Sequence, residues 1–425
     1  MLLDLFENTT FVIDSRKVVP GCVFVALKGE KTDGHLYVRE ALEKGAKLAV
    51  VEKQVDAPSD KLVFVPSTVD FLAQLASYRL SKHNPLVIGI TGSNGKTTTK
   101  EILFKLLENY GPFRNEGNLN TEIGLPLSII NGYLGQKIVI LEMAMNKVGD
   151  IAKLCQVARP RIAVLLNVGS AHRGVAGGDE AILRGKLEIV ENMAVDGTAV
   201  VLDDERIVSR IKGKNCVTFG YLKGDYQLIS FEYKNLKTIT VYSAKGKILK
   251  VELSNIWNTG QLTNLAAVFA VLDLLGLEVD LKKLEEFDFV PGRFKLVECK
   301  GIYIFDDCYN ASLESFKVAV DTIKKVGKRA FAVVGSIKEQ GEFSNQTHLE
   351  LGKILEQLDG VIVYTKEPEI EVMKCSKEIL RTSIVDEIVQ KLSDILKAED
   401  AVLFKASRAV EMEKVLQRFL EVLKC

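Results

Sequence analysis

The chain has 425 residues, 47% hydrophobic and 26% charged, and its 56 basic and 56 acidic side chains cancel to a formal charge of zero. A globular chain of roughly two to four domains fits this composition, whereas a basic nucleic-acid surface does not, and no apolar run approaches the ~18 residues of a membrane span. The acidic start MLLDLFENTT lacks the basic n-region of a secretory signal, and the seven cysteines stand singly without a CxxC pair; a cytoplasmic protein without a metal-binding cysteine cluster or a disulfide framework is expected.

In chain order, residues 1–83 alternate short apolar strands (Phe11–Ile13, Val23–Leu27, Leu48–Val51) with a helix at Tyr37–Lys44. The polar stretch Ser81–Pro85 reads as a linker. Residues 84–292 open with an apolar strand, Leu86–Ile90, then Gly92, Ser93, Asn94, Gly95, Lys96, Thr97 and Thr98, then a helix-like stretch from Thr99 to Glu108. A strand, a glycine turn and a helix start form a phosphate cradle, because the glycines turn backbone N–H groups toward an anion at the positive end of the helix. Lys96 would reach the β/γ-phosphates and the Thr97 hydroxyl would ligate Mg²⁺. The spacing is Gly-x-x-Gly-Lys-Thr, with Ile90 where the usual phosphate-loop glycine stands.

Further buried-type strands follow at Ile138–Leu141, Ile162–Leu166 and Ala199–Leu202, and helical patterns between the earlier ones predict a doubly wound parallel sheet. Glu142 ends one strand, where it would hold Mg²⁺ directly or through water, or stay a solvated carboxylate. His172 follows the next strand as a metal ligand, a phosphate hydrogen-bond partner or a structural histidine. Lys186, read alone, is one of many surface lysines. Between Asn215 and Leu253 short alternating strands with Gly-Lys turns predict an antiparallel insertion. Asn264 would read a base edge or cap a helix.

Pro291-Gly292 breaks the chain, and residues 293–425 carry strands at Ile302–Phe305, Ala330–Val334, Val361–Tyr364 and Ala401–Phe404 separated by helices. This predicts a Rossmann-like unit, without the GxGxxG of a dinucleotide site. Arg293 would clamp phosphate and the Asp306-Asp307 pair would bond a ribose hydroxyl, or these groups form a surface ion pair.

Together these segments resemble the Mur ligases, ATP-dependent amide-forming enzymes of peptidoglycan synthesis, in colinear order over essentially the whole chain. Thr91–Thr98 is similar to the family's phosphate loop and Asn118-Leu-Asn-Thr-Glu-Ile-Gly124 to its substrate loop. The resemblance implies an α/β protein of three domains: a mixed α/β UDP-binding domain, a central parallel sheet with a P-loop-like ATP site, and a Rossmann-like C-terminal domain binding the dipeptide. It implies ATP and Mg²⁺ as cofactors, with Thr97, Glu142, His172 and a carbamylated Lys186 around the metal and Lys96, Lys186 and His172 as catalytic groups. Asn264, Arg293 and Asp307 take its ATP-binding positions. Asp306-Asp-Cys-Tyr-Asn-Ala311, Gly335-Ser-Ile-Lys-Glu-Gln-Gly341 with His348, and Val402-Leu-Phe-Lys-Ala-Ser-Arg408 are similar to the member that joins D-Ala-D-Ala to UDP-N-acetylmuramoyl-tripeptide. Substrate contacts are then expected from Ser15, Arg16, Asn118, Asn120, Thr121, Tyr309, Asn310 and His348, in a monomer. Alternatives on the same pattern are a sister Mur ligase, a folylpolyglutamate-type ligase or a non-catalytic nucleotide-binding protein; the DNPR motif of one sister is not found. The chain departs from the family with Arg173-Gly174 after His172, with Ser336 and Gln340 in the third-domain motif, and with Ser312.

Overall fold

The computed structural model describes residues 6–7, 9–29, 32–170 and 173–425. Among these, the strands form three sheets. The first contains β1 (Phe11–Val12), β2 (Val23–Val25), β3 (Leu48–Val51) and β4 (Leu62–Phe64), all parallel in sequential order. β4 and the following helix Thr68–Ser81 are additions to the sequence reading. Ser67 caps that helix by accepting from the Asp70 N–H.

The helix runs through Ser81, so the expected linker shrinks to a turn, in which Asn84 adopts a left-handed conformation before Pro85. The hydrophobic core crosses this turn: Phe11, Phe71 and Leu75 pack in one cluster with Leu125, Ile129 and Leu141. The edge of β1 is sealed by Asn131, which accepts from the Phe11 N–H (2.8 Å) and donates to the Phe11 carbonyl (2.9 Å).

The central sheet comprises β5 (Leu86–Thr91), β6 (Phe113–Arg114), β7 (Ile138–Glu142), β8 (Ile162–Leu165), β9 (Thr198–Leu202), β10 (Cys216–Tyr221), β11 (Tyr226–Lys234), β12 (Lys237–Ala244) and β13 (Lys247–Leu253). Its order is β13-β12-β11-β10-β9-β8-β5-β7-β6. β5 sits between β7 and β8, so the chain turns both ways from it and opens a crevice at its carboxyl end. The expected antiparallel insertion is corrected in two respects. β10 pairs parallel with β9, and the antiparallel β11–β13 extend the central sheet instead of standing apart from it. The helix Thr259–Leu275 lies over this region, apolar on all sides and almost entirely buried, with an Asn258–Gln261 capping box at its start.

The third sheet holds β14 (Lys295–Cys299), β15 (Ile302–Asp307), β16 (Ala330–Val334), β17 (Gly360–Tyr364), β18 (Glu378–Thr382) and β19 (Ala401–Lys405), in the order β14-β15-β19-β16-β17-β18. β14 is its antiparallel edge and the rest are parallel. The expectation of single thiols also needs one correction. Cys299 at the end of β14 and Cys425 after the last helix, 126 positions apart in sequence, form a disulfide with their Cα atoms 6.1 Å apart. Only the pairing of β14 with β15, and the return of the chain over that edge, brings them together.

Candidate functional site

The carboxyl ends of the central and third sheets face one another across a cleft of about 610 Å³. From the central sheet, Ser93 to Thr98 line it beside Asn118, Asn120, Thr121 and Glu142. Asn264, Arg293, Asp307, Tyr309 and Asn310 complete the wall. The motifs read separately in the sequence therefore converge on one space.

The phosphate loop follows β5, and Lys96 starts the helix Lys96–Leu106. Gly95 has a φ of +86°, and a Cβ there would lie 2.1 Å from Asn264 Nδ2. Glycine is thus required both by conformation and by the approach of this amide. Asn264 is not the cap of its helix, since Asn258 fills that place; it points instead at the phosphate loop.

Glu142 is buried at the end of β7 and held by neutral donors. Asn120 Nδ2 donates to its Oε1 (2.7 Å) and the Thr97 hydroxyl to its Oε2 (2.8 Å). Arg293 Nη2 donates to Thr97 Oγ1 (3.1 Å), and its guanidinium stacks 3.7 Å from the Tyr309 ring centre. Lys96 Nζ is turned back onto the Gly92 carbonyl (2.8 Å).

The cations here are crowded. Burial holds the Lys96 amine below its ordinary value, and the Arg293 charge adds to this against the pull of Glu142. Lys186, buried on the helix Asp179–Glu191, is driven well below the usual lysine range by burial and by the Lys96 charge. Burial likewise lowers Arg293. An entering polyanion would relieve all three.

In the third sheet, Asp307 Oδ2 accepts from Lys405 Nζ at 2.5 Å, because β15 and β19 are adjacent and in register there. Lys405 also donates to the Asn310 carbonyl (2.9 Å). Burial raises the Asp307 carboxyl, with Lys405 opposing.

Several expected residues are not brought to this cleft. His348 is fully buried. Its Nε2 accepts from the Ile337 N–H (3.0 Å) and its Nδ1 donates to the Ser344 carbonyl (2.8 Å), so both ring nitrogens are engaged within the third domain, where it braces a turn. Burial lowers its basicity. Ser15 and Arg16 lie on a short helical turn off the cleft wall, where Arg16 pairs with Asp14. Lys186 sits behind the wall, and His172 lies outside the described residues.

The departures from the family pattern find local explanations. Gly174 abuts Gly341, where a Cβ would come within 2.3 Å of a backbone nitrogen. The Arg173 guanidinium lies 4.2 Å from the Phe343 ring centre. The two divergent segments thus pack against each other. Ser336 accepts from the Ile370 N–H (3.2 Å) and donates to the Glu367 carbonyl (3.1 Å), and Ser312 caps the helix Leu313–Val326.

The sequence reading held Lys405 only as part of the Val402–Arg408 motif, without a role of its own, and missed Lys100 and Asn115. A lysine closing an apolar parallel strand was an available signal for Lys405. Lys100, with no exposed surface, donates to the Asn115 carbonyl (2.6 Å). Asn115 accepts from the Glu142 N–H (2.9 Å) and donates to the Glu142 carbonyl (3.0 Å). Nothing in the local sequence marks that loop asparagine.

Comparison with known proteins follows the same three-part division. The Mur ligase family catalytic domain matches residues 9–79, the Mur ligase middle domain residues 90–272, and the Mur ligase glutamate ligase domain residues 292–408. The UDP-N-acetylmuramoyl-tripeptide--D-alanyl-D-alanine ligase of Bacillus subtilis is 30% identical, over 96% of this chain and 92% of its own. The MurF ligase of Thermotoga maritima, crystallised in complex with ADP, is 44% identical with a TM-score of 0.95 over 99% of both chains. MurF from Acinetobacter baumannii is 27% identical with a TM-score of 0.90, over 97% of this chain and 93% of its own.

Proposed function

The chain belongs to the Mur ligase family, and we propose that within it this protein joins D-Ala-D-Ala to UDP-N-acetylmuramoyl-tripeptide with conversion of ATP to ADP and phosphate. The observation that carries this reading is the single cleft in which the phosphate loop and Glu142 face the Asp306–Ala311 segment. A peptide carboxylate is a poor electrophile at neutral pH. Phosphorylation makes it an acyl phosphate, and the unprotonated amine of the dipeptide then attacks the acyl carbon and expels phosphate.

The backbone of residues 92–98 and Lys96 cradle the nucleotide phosphates and offset charge on the transferring group. Arg293, anchored on Tyr309, reaches the same phosphates from the third domain. Asn264 and Asp307 face the nucleoside. The Thr97 hydroxyl and the Glu142 carboxylate are hard oxygen donors 2.8 Å apart, a set that fits Mg²⁺. When bound there, Mg²⁺ supplies charge neutralisation at the phosphoryl oxygens.

By family likeness His172 and a carbamylated Lys186 join this set. The depressed basicity of Lys186 favours the neutral amine, which adds to CO₂ with loss of one proton and so introduces a negative charge beside Lys96. Residues 1–83, with Ser15 and Arg16, take the UDP end, residues 84–292 hold ATP, and residues 293–425 bring the dipeptide by closure about Pro291-Gly292. The working unit is a monomer. No helix among the described residues is long and apolar enough to cross a membrane.

The test is ADP release by the full chain with ATP, Mg²⁺ and UDP-N-acetylmuramoyl-tripeptide, with and without D-Ala-D-Ala. Turnover that needs both peptide substrates is expected. Absence of turnover with either lysine- or diaminopimelate-containing tripeptide, despite ATP binding, would overturn the substrate assignment.

A further inference from the structure

The segment Asn167–Ser170, which follows β8, is laced to the phosphate loop. The Asn94 N–H donates to Asn167 Oδ1 (2.8 Å), Asn167 Nδ2 donates to the Asn94 carbonyl (2.9 Å), and the Gly169 N–H donates to Ser93 Oγ (2.9 Å). All of these bonds lie within the central domain. The other side of the segment is held from the third domain. The Glu314 carboxylate accepts from the Ser170 N–H (2.9 Å) and from its hydroxyl (3.0 Å). At the cap of the same helix, Ser312 Oγ accepts from Asn94 Nδ2 (3.2 Å).

The start of the helix Leu313–Val326 therefore grips the phosphate loop twice, once directly and once through its bracing segment. Glu314 is exposed at the mouth of the cleft. Its bonds to a backbone N–H and a hydroxyl are charge-assisted but open to water.

We propose that Glu314 is a positioning residue for phosphoryl transfer, which couples docking of the third domain to the geometry of the phosphate loop by holding the Asn167–Ser170 segment. It touches no reacting atom. The nucleotide can bind the central domain without it, but the loop reaches its productive position only when the carboxylate is seated. The proposal rests on the ligase reading above.

The test compares the parent chain with Glu314→Ala, Glu314→Gln and Ser170→Ala in three measurements: steady-state ADP release, ADP affinity by calorimetry, and thermal midpoint. Loss of about 10- to 100-fold in kcat for Glu314→Ala is expected, the range for a misplaced reacting geometry. ADP affinity should stay within about twofold, because the carboxylate bonds to Ser170 that this variant removes run between domains and not to the nucleotide. Glu314→Gln keeps an acceptor oxygen and should recover part of kcat. Ser170→Ala keeps the backbone donor and should lose less than Glu314→Ala.

Unchanged kcat in both Glu314 variants would overturn the proposal. So would a fall in ADP affinity that matches the fall in kcat, or a lowered thermal midpoint in both variants that accounts for the loss. If the parent itself does not turn over these substrates, the ligase reading fails, and small-angle scattering with ADP and Mg²⁺ decides the role of Glu314. A more extended Glu314→Ala than parent upholds it, and superimposable profiles overturn it.

Discussion

Both sheets that border the cleft end a parallel strand in a carboxylate, buried for Glu142 and largely covered for Asp307, yet they neutralise it differently. Glu142, on the central side, rests on the Thr97 hydroxyl and the Asn120 amide, with Lys100 no nearer than 3.9 Å and already committed to the Asn115 carbonyl. Asp307, on the third-domain side, is paired directly with Lys405 at 2.5 Å. A carboxylate held by neutral donors keeps its charge available to an incoming cation. One that is paired with an ammonium has spent its charge inside the protein and serves as a fixed acceptor. On the proposed ligase reading, Glu142 on the central side takes the cation, and Asp307 on the third-domain side serves the nucleoside as a fixed acceptor.

The largest effect expected is from Lys96→Ala on the central side. Turnover measured by ADP release should fall by about 10³-fold, because a charge aimed at the transferring phosphoryl is lost, with the thermal midpoint little changed. On the third-domain side, Asp307→Asn should act first on stability. Lys405 would remain buried without its carboxylate, at a cost of about 3 kcal/mol in denaturant unfolding. Glu142→Gln should show the opposite balance. Stability would shift by less than about 1 kcal/mol, since amide oxygen and nitrogen can reuse the same partners, while turnover would fall about 10- to 100-fold and recover in part at higher Mg²⁺. If Asp307→Asn and Glu142→Gln have the same profile, the contrast between the two sides is wrong.

The smallest effect concerns His348, outside both sides. Its folded basicity lies below the ordinary value of 6.5, chiefly through burial. The unfolded chain therefore binds the proton more readily, so its contribution to stability is intact above pH 6.5 and is lost as pH falls through the window below it. The thermal midpoint should fall between pH 7 and 5, and His348→Gln should flatten that dependence. An unchanged slope in His348→Gln would remove His348 as its source.

The central strands, the phosphate loop and the acid ending β7 were legible because each is a local pattern. An apolar run implies a strand, GSNGKTT implies a turn into a helix, and a charge at a strand's carboxyl end implies a crevice. The same locality explains what stayed open. His348 stands in a family-like motif, but Ile337 and Ser344 engage its two nitrogens, and only the packed turn places them there. Asn264 stayed ambiguous between cap and ligand until Asn258 was seen to fill the cap. β4 is an edge strand of only three residues, and β14 and β18 are edge strands whose apolar runs are broken by charged residues, so pairing with their neighbours completes them as strands.

What the sequence determined by itself was chemistry along the chain: which residues can carry phosphate, bind a hard cation or end a helix. The tertiary structure alone decided which of these groups meet. Asp307 and Lys405 are 98 positions apart, Asn94 and Ser312 are 218 apart, and Cys299 and Cys425 are 126 apart. Strand order and the approach of two sheet ends fix such pairings, and both follow from burying apolar faces over the whole chain, which no local window of sequence encodes.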